Sequence, residues 1–151
     1  MPSRPMSGVR VVEVAQFTYV PVSGAVLADW GADVIEVEHA VRGDAQRGLR
    51  NLGGMEADGG FAPIMEHPNR SKRGIGLALE KPEALEILYD IVRTCDVFVT
   101  NFLPDARRKL GRDEDIRAIN PDIIYVRGTA LGARGPDADK GGYDSPSFPS
   151  C

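Results

Sequence analysis

Arg42, Arg47, Arg50, Arg70, Lys72 and Arg73 cluster in one stretch of a chain whose net charge is −4. Guanidinium and ammonium groups suit phosphate oxygens, so the stretch reads either as a phosphate-contacting surface or as a solvated loop. A second group, Gln16, Phe17, Thr18 and Tyr19, follows the β-branched run Val9–Val14. It reads as ligand contacts, or as a packed connection in which Phe17 or Tyr19 plugs the core. A third, Asn101-Phe102-Leu103-Pro104, follows the apolar run Val97–Thr100. There an amide could hydrogen-bond and a ring could stack on a planar ligand. Equally, Asn101 could cap the turn and Phe102 could enter the core.

Other chemistries are disfavoured. His39 and His67 lack metal-ligand spacing and no cysteine is suitably placed beside them, so no zinc or other metal site is expected. The fingerprint G-x-G-x-x-G is absent after the first apolar run, and Gly24 and Gly31 are not spaced to bring backbone against a pyrophosphate. Glu36 or Glu38 stands where a ribose-binding acid would be, but acids at strand ends are commonplace, so NAD is not expected. The acidic balance argues against a nucleic-acid partner held by phosphate contacts. Cys95 and Cys151 are too few for a disulfide framework, and Cys95 reads as a small buried apolar residue. No apolar run approaches the ~20 residues of a membrane span, and MPSRPMSG lacks the apolar core of a signal peptide. A cytoplasmic protein with no membrane partner is the expectation.

The elements that would position these groups follow from pattern. Val9–Val14 predicts a strand, Pro21 the start of a helix, Gly31 its end, and Asp33–Glu38 a second strand. A right-handed crossover would make the two strands parallel, with their ligand-bearing ends on one edge. Residues 39–71 look irregular, broken by Gly-Asp, two Gly-Gly pairs and two prolines. Gly74–Leu79 predicts a strand and Pro82 opens a helix with Ala84, Leu85, Leu88, Ile91 and Val92 on one stripe. Val97–Thr100 predicts a strand, Asp105–Leu110 a short helix stopped by Gly111, Asp113–Ile119 another, and Asp122–Arg127 a last strand. Alternation of this kind gives an α/β fold with a Rossmann-like, mainly parallel sheet flanked by helices. Its parts are a flexible N-terminus (1–7), a domain over 8–128 that contains the long basic loop 39–73, and a Gly/Pro-rich connector (129–151).

The blocks SGVRVVEVAQ, LADWGADVIEVE, NRSKRGIGLAL, CDVFVTNFLPDARRKLG, INPDIIYVRGTALGARGP and GGYD occur in that order. Together they resemble the N-terminal region of the family III CoA-transferases, which include formyl-CoA and carnitine CoA-transferases and the related α-methylacyl-CoA racemases. The resemblance covers about residues 7–145 and implies coenzyme A or acyl-CoA as substrate, with a carboxylic acid as the second partner. It implies CoA contacts by Phe17 and Thr18, by the basic pair Lys72 and Arg73 near the nucleotide, and by Asn101 and Phe102 along the adenine and phosphate region. Lys109 matches a position where the family commonly has Arg for a CoA phosphate. His39 stands where members often place a basic residue.

The family moves CoA between an acyl-CoA donor and an acid through an aspartyl intermediate. The resemblance places that nucleophilic Asp beyond Cys151, so no catalytic residue is carried over; Asp144 belongs to the GYD block itself. The racemases carry a His where Tyr143 stands, which disfavours racemase chemistry. A racemase relative and a non-catalytic CoA-binding fragment are the alternatives. Family members are more than twice this length and form interlocked homodimers, so the chain resembles a truncated N-terminal part.

Overall fold

The computed structural model describes residues 4–49, 62–110 and 113–142. Five strands form one sheet: β1 (Arg10–Val14), β2 (Asp33–Glu38), β3 (Arg73–Gly76), β4 (Val97–Thr100) and β5 (Ile124–Arg127). Their order is β3-β2-β1-β4-β5, and every neighbouring pair is parallel. The expected parallel α/β architecture is what the chain adopts.

Parallel strands are joined by helices that cover both faces. The helices are α1 (Tyr19–Asp29), α2 (Pro63–Asn69), α3 (Pro82–Val92), α4 (Pro104–Leu110) and α5 (Asp113–Ile119). On one face α1 packs over Val11, Ala15, Val34, Val97 and Val99 through Val20 and Ala28. On the other, Leu88 and Val92 of α3 and Ile116 of α5 meet Val12, Val14, Val37 and Phe98. Each side chain buried in that way contributes about 1.5–3 kcal/mol. Phe98 also stacks on Tyr125, with ring centroids 5.1 Å apart.

Helix α1 begins two residues before Pro21. The proline is tolerated because first-turn N–H groups have no acceptor within the helix. At its other end Gly31 adopts φ +104°. Its N–H reaches Ala28 O at 2.9 Å and the next N–H, of Ala32, reaches Leu27 O at 3.0 Å. This paired closure needs a left-handed residue, which glycine supplies without strain.

Stretch 39–71 is less irregular than its composition predicts. It holds a 3-10 turn, Ala45–Gly48, as well as α2, with Pro63 at its start and Pro68 inside. Proline content hid the helix. Strand β3 ends at Gly76, not Leu79, because Leu77 and Leu79 turn into the core on the α3 side. Strand β5 starts at Ile124, not Asp122. Cys95 lies just past α3 and is buried, which pushes its thiol up to about 11 and leaves it unreactive. Arg50, Gly111, Tyr143, Asp144 and Cys151 lie outside the described residues.

Candidate functional site

Strand order reverses at β1, whose neighbours are β2 on one side and β4 on the other. The crevice outside the carboxyl ends at such a reversal is where open α/β sheets bind ligands. The loops after β1 and β4 border it, and they are tied together. Gln16 N–H donates to Asn101 Oδ1 at 3.0 Å, and Asn101 Nδ2 donates to Gln16 O at 2.7 Å. One amide side chain thus satisfies both backbone groups of a residue 85 positions away. Next to it, Thr100 Oγ1 accepts from Phe102 N–H at 3.2 Å. The Phe102 ring is half-buried against the core of the α3 face.

The β1–α1 loop has a second set of holders. Phe17 adopts φ 65°, a left-handed conformation that aromatic residues rarely take. Its N–H donates to Asp44 Oδ2 at 2.9 Å, with Oδ1 at 3.2 Å. Thr18 Oγ1 donates to Gln46 Oε1 at 2.8 Å. Asp44 Oδ1 also accepts from Gln46 N–H at 2.7 Å, and Gln46 Nε2 donates to Ile64 O. Asp44 N–H is held in turn by Glu38 Oε2 at 3.0 Å. Burial raises the Asp44 pKa, and the N–H groups of Gln46 and Phe17 oppose that rise. The Arg47 guanidinium hydrogen-bonds Glu38 and holds its carboxyl below the ordinary range.

His39 sits at the end of β2 on the same edge. Its Nδ1 accepts from the N–H groups of Val41 (3.1 Å) and Arg42 (3.0 Å). The ring proton therefore belongs on Nε2, which lies 3.0 Å from Glu80 Oε1.

Beneath this edge, under α1, lies a buried group of charges. Glu13 of β1 and Glu36 of β2 are register partners, and both are buried. Lys72 Nζ donates to Glu13 Oε1 at 2.7 Å and to Asn69 Oδ1 at 3.1 Å. The Lys72 and Glu13 side chains are 1% and 0% exposed. Among the described residues, Glu13 Oε2 and Glu36 Oε1 have no hydrogen-bond partner. Desolvation pushes both carboxyls up to about 7, against the pull of Lys72. Gly24 of α1 makes the room, since a Cβ there would lie 1.9 Å from Glu13 Oε2.

The expected site residues therefore separate. Phe17, Thr18, Asn101 and Phe102 come together around the β1–β4 reversal, and His39 shares their edge. Lys72 turns inward, and its ammonium is committed to Glu13. Arg73 points the other way: its guanidinium grips Asp33, at the amino end of β2, with contacts of 2.8 and 2.7 Å. Lys109 is exposed on α4. Sequence reading missed Asp44, Gln46 and the Glu13–Lys72 pair. The alternation of Val11, Glu13 and Ala15 along one face was the available signal, because it sets a carboxylate in the centre of a buried strand.

Parallel strands in this order, with tethered loops over the reversal, define a Rossmann-like α/β class without the dinucleotide glycines. Within that class the chain belongs to CoA-transferase family III, whose family model matches residues 6–147. It is 42% identical over 149 residues to a succinate–glutarate CoA-transferase of Agrobacterium fabrum, covering 95% of this chain and 37% of that one. It is 34% identical over 147 residues to an (R)-2-hydroxy-4-methylpentanoate CoA-transferase of Clostridioides difficile, covering 95% and 36%. A crystal structure of a CaiB/BaiF family protein from Brucella suis superposes with a TM-score of 0.80 at 36% identity, over 93% of this chain and 37% of that one. The chain thus spans little more than a third of the length of these relatives. Among the described residues no helix is long and apolar enough to cross a membrane.

Proposed function

We propose that this chain is the CoA-holding part of a cytoplasmic, homodimeric enzyme that moves CoA from an acyl-CoA donor to a carboxylic acid. Residues 8–128 would be the CoA-binding domain and 129–151 a connector. The observation that carries this reading is the Asn101–Gln16 clasp, which fixes the two loops at the strand-order reversal. Phe17, Thr18 and Asn101 would line that crevice, Phe102 and His39 would border it, and Lys109 would face a phosphate from α4. Lys72 would act from beneath, by fixing Glu13 and the floor of the sheet.

Exchange would begin with attack of an aspartyl carboxylate on the thioester carbonyl, giving a mixed anhydride and releasing CoA thiolate. The thiolate would then attack the aspartyl carbonyl, form an enzyme–CoA thioester and free the donor acid. Attack by the acceptor acid would repeat these steps in reverse. That Asp would come from sequence beyond Cys151. The role of residues 1–151 would be to bind the remote nucleotide and so position the thioester.

Calorimetric titration of the 151-residue chain with CoA tests this. Saturable binding, weakened about tenfold by Asn101→Ala, is the expected result. No heat of binding at millimolar CoA would overturn the reading. Robust acyl exchange by these residues alone would overturn the placement of the nucleophile outside them.

A further inference from the structure

We infer that Asp44 is a positioning residue: its carboxylate holds Phe17 in a left-handed turn and so presets the β1–α1 loop that meets CoA. The inference rests on the CoA-binding reading above and assigns a task to a residue that touches no ligand in it. Three consecutive loop residues are each tied from outside the loop. Asn101 holds Gln16, Asp44 holds Phe17, and Gln46 holds Thr18. Of these, only Phe17 has a backbone conformation that is strained for its residue type. Asp44 is 2% exposed, and such a carboxylate stays buried only where donors replace its water. Its donors are the N–H groups of Phe17 and Gln46. A further bond, from Asp44 N–H to Glu38 Oε2, runs back to β2, so the loop is braced against the sheet.

Asp44→Asn divides these bonds. An amide oxygen at the Oδ1 position still accepts from Gln46 N–H and keeps only the longer, 3.2 Å contact with Phe17 N–H, while the amide nitrogen at the Oδ2 position replaces the 2.9 Å acceptor with a donor that repels it. CoA affinity should fall about tenfold, the scale set by holding a non-glycine residue in the left-handed region. Glycine takes that conformation freely. In a Phe17→Gly background the same Asp44→Asn change should therefore weaken binding less than about twofold. A general loss of stability would act alike in both backgrounds, so the difference isolates positioning. Equal losses in both backgrounds, or none in either, would overturn the inference.

If Asp44→Asn does not fold, Phe17→Gly should still bind CoA several-fold more tightly than Phe17→Ala, and equal affinities would overturn it. Failure of the unsubstituted chain to bind CoA would sink the functional reading instead. Amide exchange then decides the positioning role: slow exchange at Phe17, made fast by Asp44→Asn, upholds it, and unchanged exchange refutes it.

Discussion

The two faces of this sheet are built differently. The face under α3 and α5 is an apolar interior of Val12, Val14, Leu88, Val92, Phe98 and Ile116. The face under α1 has apolar flanks but sets Glu13, Glu36 and Lys72 near its middle. The first arrangement favours burial of every side chain at every pH. The second leaves carboxylate oxygens unpartnered among the described residues, and its stability depends on which groups carry protons. The charged layer also lies directly below the loops that border the crevice. Stability and site geometry are thus coupled on one face and separate on the other.

The strongest way to break this contrast is Lys72→Met. Removing one partner of a buried ion pair costs about 3–5 kcal/mol. Glu13 can escape that penalty by taking a proton, so the loss measured by urea denaturation should be large at pH 8 and much smaller at pH 5. Equal losses at both would refute the charged character of the layer. Leu88→Ala, on the apolar face, should cost about 2–5 kcal/mol with no such pH dependence.

Next comes the pH profile of the unsubstituted chain. Glu13 and Glu36 are raised from 4.5 to about 7 in the folded state. The folded chain therefore binds more protons than the unfolded chain between those values. Their contribution to stability is fully present below about pH 4.5 and is lost as pH rises through 7. Glu36→Gln should flatten that slope and stabilise the chain at pH 8 by about 1 kcal/mol, as expected for removing one buried uncompensated charge. A slope unchanged in this variant would remove Glu36 from the layer.

The smallest effect is expected at the amino end of the sheet, where Arg73 and Asp33 form an exposed pair. Arg73→Ala should change stability by less than about 1 kcal/mol and leave CoA affinity unaltered. A marked loss of CoA binding would instead support the CoA contact that the resemblance implies for Arg73.

Much of this was legible in sequence because it is local. Runs of β-branched residues identify β1, β2 and β4, and the apolar stripe from Ala84 to Val92 identifies α3. The resemblance to a CoA-transferase family also singled out Asn101 and Phe17, whose loops are joined at one edge by the bonds between Asn101 and Gln16. What sequence hid is what depends on direction. Lys72 and Arg73 are adjacent in the chain and read as one basic pair, yet one turns under α1 and the other runs along the strand to Asp33. Gly43-Asp44 read as a breaker, because nothing local shows that its carboxylate reaches Phe17 across 27 positions. Helix α2 was concealed by Pro63 and Pro68, whose residue type predicts a loop.

The clasp between Gln16 and Asn101 also imposes an order of events during synthesis. Strand β1 leaves the ribosome first and is the centre of the sheet, but its partner β4 and the amide that secures the next loop come 85 residues later. At about 5–20 residues per second that interval is roughly 4 to 17 seconds. For that time the nascent chain can make β1–β2 contacts but cannot close the crevice. The last of its crevice tethers to become available is therefore the one that joins the first strand to the fourth.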